Sequence, residues 1–187
     1  MTSLLDSLAS AIDPERHATP RTLGVSTAVV TDNDDKSGLG RVRVRFPWAD
    51  NHSAWAPVMA PMAGDGRGLY GLPEVDDQVL VLFDGGRIDA PFVIGAIWNG
   101  KARPPVPGGK KKNDLRILKS RSGHTITLDD TSGKEQVTVV DKSGRNKIVI
   151  DSSTNKITIH AGQDLSLESD GTISIQAKIV KINEGRG

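Results

Sequence analysis

A ladder of apolar-x-apolar pairs running to the C-terminus constrains this fold more than any other feature of the chain. Its rungs are Ile126-Thr-Leu128, Val137-Thr-Val139, Ile148-Val-Ile150, Ile157-Thr-Ile159, Leu165-Ser-Leu167, Ile173-Ser-Ile175 and Val180-Lys-Ile182. Each pair brackets a mostly polar residue, the period-2 pattern of a strand with one apolar face. Turn formers lie between the rungs: Asp129-Asp130, Ser132-Gly133, Ser143-Gly144, Asn155, Ala161-Gly162 and Asp170-Gly171. The mid-rung positions 127, 138, 149, 158, 166, 174 and 181 step by 11, 11, 9, 8, 8 and 7. A strand-and-turn unit that repeats this tightly predicts a β-solenoid or β-prism. Such a stack is a rod, which favours mechanics over catalysis.

A rung alone buries two side chains and leaves both backbone edges unpaired, so it cannot offset the entropy of ordering itself. Stacking pairs the edges and turns the aliphatic pairs into a continuous interior. Each fully buried side chain then contributes roughly 1.5–3 kcal/mol, provided the interior is closed on all sides. One chain could close it by coiling, with three eight-residue sides per turn, or three chains could each supply one side. No 24-residue super-period marks corners, which leans toward an interwound homotrimer closed by threefold symmetry. The predicted core is then Ile126, Leu128, Val137, Val139, Ile148, Ile150, Ile157, Ile159, Leu165, Leu167, Ile173, Ile175, Val180 and Ile182.

Composition changes abruptly near residue 108. All ten prolines, and every one of the three Trp, three Phe and one Tyr, lie before it. The stretch Arg103-Pro-Pro-Val-Pro-Gly-Gly-Lys-Lys-Lys112 reads as a linker that is first stiff, then flexible, then charged. The expected organisation is a short segment over 1–20, a barrel domain over 21–101, a linker or collar over 102–119 and a β-helical spike over 120–187. Within 1–20, Leu4, Leu5, Leu8, Ala11 and Ile12 fall at helical spacing between stops at Pro14 and Pro20.

Residues 21–98 read as β throughout, with strands expected at Leu23–Thr31, Arg41–Phe46, Ala54–Ala60, Gln78–Phe83 and Phe92–Trp98. In the second, Val42, Val44 and Phe46 alternate with Arg41, Arg43 and Arg45, placing the arginines outside. Five short antiparallel strands suit an all-β OB-type barrel; a β-sandwich fragment is the alternative. Net charge is +1, which argues against broad binding to nucleic acid or membrane. With no cysteine there is neither a disulfide nor a thiolate metal site. No apolar run reaches the roughly 20 residues of a membrane helix, and the N-terminus lacks a secretory signal's basic start and apolar stretch.

The run Gly40-Arg-Val-Arg-Val-Arg-Phe-Pro-Trp48, followed by Trp55-Ala-Pro-Val, resembles the OB domain of gp5-type spikes: the VgrG proteins and phage baseplate assembly protein V. The resemblance continues through Gly71-Leu-Pro-Glu-Val-Asp-Asp-Gln-Val-Leu-Val81 and Asp89-Ala-Pro-Phe-Val-Ile-Gly-Ala-Ile-Trp-Asn-Gly100. It resumes at Arg121-Ser-Gly-His-Thr-Ile-Thr-Leu-Asp-Asp130, which opens the β-prism in that family. It implies an OB barrel followed by an intertwined trimeric β-helix, acting as the homotrimeric central spike of a contractile injection machine. Such a spike is assembled in the bacterial cytoplasm into a phage tail, type VI secretion system or tail-like particle, at the baseplate end. It pierces the target envelope in transient contact with the membrane, and it carries no enzymatic activity here. Arg41, Arg43, Arg45, Trp48 and Trp55 are the candidates for docking on a hub.

Three departures qualify the resemblance. At most 20 residues precede the OB motif, so the hub is expected to be a separate trimeric protein. There is no room for the lysozyme domain of some phage spikes. The His-x-His apex of short phage spikes is missing, since His160 stands alone and the tail reads Ile182-Asn-Glu-Gly-Arg-Gly187. A separate PAAR-like tip protein is the natural cap.

Other motifs carry little chemistry. Gly66-Arg-Gly-Leu-Tyr-Gly71 matches the dinucleotide pattern G-x-G-x-x-G. That pattern needs a helix after it, yet Pro73 and a strand follow, so the glycines are read as shaping a loop. Glu74, Asp76, Asp77, Asp84 and Asp89 flank strands as solvated turn residues rather than a glycosidase pair. His17, His52, His124 and His160 share no ligand spacing, so no metal or other cofactor is expected within one chain. The arginine stripe beside Trp48 and Trp55 leaves an alternative: an OB-fold nucleic-acid binder with a solenoid oligomerisation tail.

Overall fold

The computed structural model describes residues 24–49, 52–106 and 112–182. The amphipathic stretch over 1–20 lies outside the described residues. The chain divides into two compact units between Pro104 and Pro105. Among the described residues there are twelve strands, one 3-10 turn at Asp84–Gly86 and no α-helix.

The first unit is built on β1 (Val25–Asp32), β2 (Arg41–Arg45), β3 (Ser53–Pro57), β6 (Gln78–Phe83) and β7 (Pro91–Ala96). They form one antiparallel sheet in the order β3-β2-β1-β6-β7. Its two edges then meet: Val58 bridges Val93 in parallel, and the Met59 N–H donates to the Val93 carbonyl at 2.8 Å. That bridge draws the two edges of the curled sheet together, as in an OB-type barrel, and pairs them at one point. Register shifts at Val30/Asp32 and Leu80/Val81 mark bulges that bend β1 and the β6–β7 pair. The strands match the expected five, with altered ends. Strand β3 stops at Pro57, where a residue without N–H cannot continue the ladder, and β7 stops at Ala96 rather than Trp98.

Alternation supplies the core. Ala28, Val30, Val42, Val44, Ala56, Val79, Val81 and Val93 are fully buried, with Phe46 and Phe83 nearly so. The Phe46 ring lies 5.3 Å from Phe83, 5.5 Å from Trp48 and 5.9 Å from His52. These aromatic pairs fill one end of the barrel that valines are too short to reach. Between β3 and β6 sits a small hairpin of β4 (Ala63–Gly64) and β5 (Arg67–Gly68). Gly66 and Gly68, two glycines of the dinucleotide-like motif, belong to it. Gly66 takes φ +61° at the turn, and a Cβ on Gly68 would meet the Met62 carbonyl oxygen at 2.6 Å.

The second unit is a five-stranded antiparallel meander of β8 (Leu115–Lys119), β9 (Thr125–Asp129), β10 (Gln136–Val140), β11 (Lys147–Asp151) and β12 (Lys156–His160). Strand β8 corrects the linker reading over 102–119, whose last five residues are paired backbone. Coiling within one chain is also excluded for this sheet: each strand pairs antiparallel with its sequence neighbour, not with a strand a full coil away. Aspartates order the turns. Asp141 accepts from the Ser143 hydroxyl at 2.7 Å and the Asn146 N–H at 3.1 Å, while Asp151 accepts from the Ser153 hydroxyl and the Thr154 N–H. Gly144 takes φ +71°, which its neighbour Ser143 could not share cheaply. Residues 161–182 form no strand. The three last expected rungs are therefore not strands among the described residues.

Replacing Phe46 with Ala should destabilise the barrel by about 3–5 kcal/mol, read as a lower urea midpoint in tryptophan fluorescence. Trp98→Phe, at an exposed ring, should change stability by less than about 0.5 kcal/mol.

Candidate functional site

The register of β8–β12 sorts its side chains into two faces. Leu118, Ile126, Val139, Ile148 and Ile159 are direct cross-strand partners and make one row. Arg116, Leu128, Val137, Ile150 and Ile157 make the second, on the same face. The mid-rung residues Thr127, Thr138, Val149 and Thr158 line up with Ile117 on the other face. The expected pairs therefore do converge, but they are not an interior of the single chain. Their exposures run from 36 % at Val137 to 69 % at Ile157, while the mid-rung residues are half-buried. Leu165, Leu167, Ile173, Ile175, Val180 and Ile182 are 49–77 % exposed in a segment that forms no strand.

Aliphatic side chains aligned across five strands make a patch far beyond the scattered exposed leucines of an ordinary surface. Their chemistry offers no nucleophile, acid or ligand, only area to be removed from water. Leu118 and Arg116 were missed in the sequence reading. The visible apolar pair there is Leu115-Arg-Ile117, which register puts on the opposite face. His160 aligns with Lys147, off the apolar face. The His124 Nδ1 accepts the Lys142 N–H at 3.2 Å. Among the described residues, no group of three His, Asp or Glu side chains could hold a metal ion.

On the barrel, the arginine stripe is partly tied down. Arg41 makes a two-pronged pair with Asp35, Nε to Oδ2 at 2.9 Å and Nη2 to Oδ1 at 3.0 Å, and Nη2 also donates to the Ser37 hydroxyl. The Asp35 side chain is only 5 % exposed. Hydrogen bonds from Arg41, and then from Ser37, hold its carboxyl well below the usual carboxylate range. The same Arg41 guanidinium lies 5.8 Å from the Trp55 ring centroid. Arg43 sits opposite Trp55 in register and donates to the Ser53 hydroxyl at 3.1 Å; Arg45 is exposed opposite Ser53. Trp48 does not join them. Its ring packs near Phe46 and Phe83, and its Nε1–H donates to the Ser26 hydroxyl. The structure thus gathers Arg41, Arg43, Arg45 and Trp55 on the outside of β2–β3 and leaves Trp48 at the barrel end.

Residues 26–98 match the type VI secretion system/phage-baseplate injector OB domain, and residues 116–186 match the phage baseplate V C-terminal trimerisation domain. The chain belongs to this injector family. The order of the two domains is the one read from Gly40–Trp48 and Arg121–Asp130, and the second match begins within β8. The injector chain is 33 % identical over 141 residues to the type VI secretion system spike protein VgrG4b of Pseudomonas aeruginosa, covering 67 % of this chain and 18 % of VgrG4b. It is 32 % identical to VgrG5 of the same organism over the same length. With VgrG1a it shares 25 % identity over 168 residues, 83 % of this chain and 24 % of VgrG1a. The chain spans about a fifth of the length of these curated relatives.

The Asp35–Arg41 pair predicts a pH dependence for the barrel's stability. A carboxyl whose folded value is depressed contributes stability above its ordinary value of about 4 and loses it as pH falls below that. Asp35→Asn should therefore lower the barrel's Tm at pH 7, with the gap to the parent chain closing as the pH is taken below about 4. A gap independent of pH would remove the ion pair from the account.

Proposed function

We propose that three copies of this chain associate through the apolar face of β8–β12 to form the central spike of a contractile injection system or phage tail baseplate. The observation that carries this reading is the open ladder face, lying in the part of the chain that matches a trimerisation domain. Three such faces meeting around an axis cover each other without leaving a lateral edge. The segment 161–182, which forms no strand in the single chain, then adds its remaining apolar pairs as rungs against neighbouring copies. Threonine, aspartate and lysine on the other face keep the shaft wettable.

In this reading the protein is structural, and no reaction is assigned to it. The OB barrel docks on a hub protein through the outside of β2–β3, where Arg43 and Arg45 are exposed. The spike leads the inner tube through the target envelope with a PAAR-like protein at its tip. The particle is assembled in the bacterial cytoplasm, and the spike occupies its baseplate end. The likeness to VgrG spike proteins supports the role, and the two-faced sheet supports its physical basis.

Light scattering of the purified chain should give about three times the protomer mass of 19.9 kDa. The assembly should resist SDS and remain trimeric beyond about 90 °C, the range of hyperstable folds. Ile148→Asp, which sets a carboxylate in the middle of one row, should abolish the trimer. A stable monomer of the parent chain would overturn the reading.

A further inference from the structure

The barrel carries a second uncovered face, on the outside of β1, β6 and β7. Val25, Leu82 and Phe92 are direct cross-strand partners and are 53 %, 43 % and 41 % exposed. The next row is Thr27, Leu80 and Gly95. None of these side chains is charged. The outward side chains of β2 are by contrast Arg41, Arg43 and Arg45. The outward rows of this sheet are therefore uncharged and largely apolar across β1, β6 and β7, and basic along β2.

We infer that the β1–β6–β7 face is buried against neighbouring copies of this same chain, so that the barrels pack together as well as the spike units. The inference rests on the trimeric reading above. Asn99 fastens the chain to the barrel as far as Ala102: its side chain accepts the Lys101 and Ala102 N–H groups and donates to Gln78. Strand β8 begins at Leu115. Twelve residues, 103–114, separate these anchored points. A tether of that length reaches at most about 40 Å. Trimerisation of the second unit thus holds three barrels at millimolar effective concentration, where even a weak surface contact is populated. Charge then selects the surface. Arginine stripes facing one another would repel, whereas an uncharged row of Val, Leu and Phe has the character of an interface centre.

The parent chain has no cysteine, so single thiols report each face cleanly. Phe92→Cys and Thr27→Cys place a thiol on the proposed contact, the second without removing any apolar side chain. Arg43→Cys places one on the basic stripe. In preparations whose mass is that of a trimer, maleimide should react at 27 and 92 at least tenfold more slowly than at 43. With Ile148→Asp added to give monomers, the rates should become equal. Equal rates in the trimer would overturn the proposal, and so would slow reaction persisting in the monomer, which would mean that the chain's own N-terminal segment covers the face. A monomeric parent chain would instead overturn the trimeric reading, and mass alone separates the two failures.

Discussion

The second unit is governed by a mismatch between what its backbone can satisfy and what its side chains require. Hairpin pairing from β8 to β12 completes the interior hydrogen-bond ladders, so the sheet is locally sound. The same register lines up Leu118, Ile126, Val139, Ile148 and Ile159, then Leu128, Val137, Ile150 and Ile157, on a face that nothing in the described chain covers. A globular protein resolves this by folding a second layer over the sheet. Among the described residues this unit has no second layer, so in the proposed trimer the requirement passes from folding to association. Everything downstream, from oligomeric state to stiffness, depends on how that face is covered.

The barrel solves the opposite problem. Its core is finished within one copy, with valines alternating inward and the Phe46–Phe83 pair closing one end. The parallel bridge between Val58 and Val93 ties the β3 end of the sheet to its β7 edge. Its surface is consequently free to be specialised, and the Asp35–Ser37–Arg41 cluster shows how: a side chain that could have swung freely is braced beside Trp55.

Much of this was legible in the sequence. The five barrel strands and the buried half of Arg41–Phe46 follow from period-2 alternation, and four of the seven ladder rungs are strands at their expected positions. Direction was harder to read. Period 2 says which residues share a face but not what covers it; the Ile pairs are read as the interior of an interwound trimer, and in the single protomer that face is open. Strand β8 escaped because Leu115 and Ile117 advertise the wrong face, while register alone brings Leu118 to the ladder. The last rungs, from Leu165 to Ile182, show the limit of one-chain reasoning: their spacing is strand-like, yet no strand forms where the partner edge would belong to another molecule. Trp48 misled for a similar reason. It is adjacent in sequence to the arginines but follows Pro47 to the barrel end, where Ser26 and Phe83 receive it.

The meander also has a kinetic consequence. Every strand of β8–β12 pairs with its sequence neighbour across a turn of a few residues, so the contacts that build this sheet are local. Local topologies form early and quickly, because little chain must be closed before contacts are made. In the proposed trimer the long-range encounter would be left to intermolecular collision, whose rate rises with copy number. Sheets finished on individual chains would wait with an adhesive side exposed, and the same surface that recognises two proper companions would recruit improper ones. Synthesis of several copies from one messenger, keeping nascent chains close together, would shorten that interval. In the proposed trimer the vulnerable moment would lie between the completion of the hairpins and the arrival of the third chain.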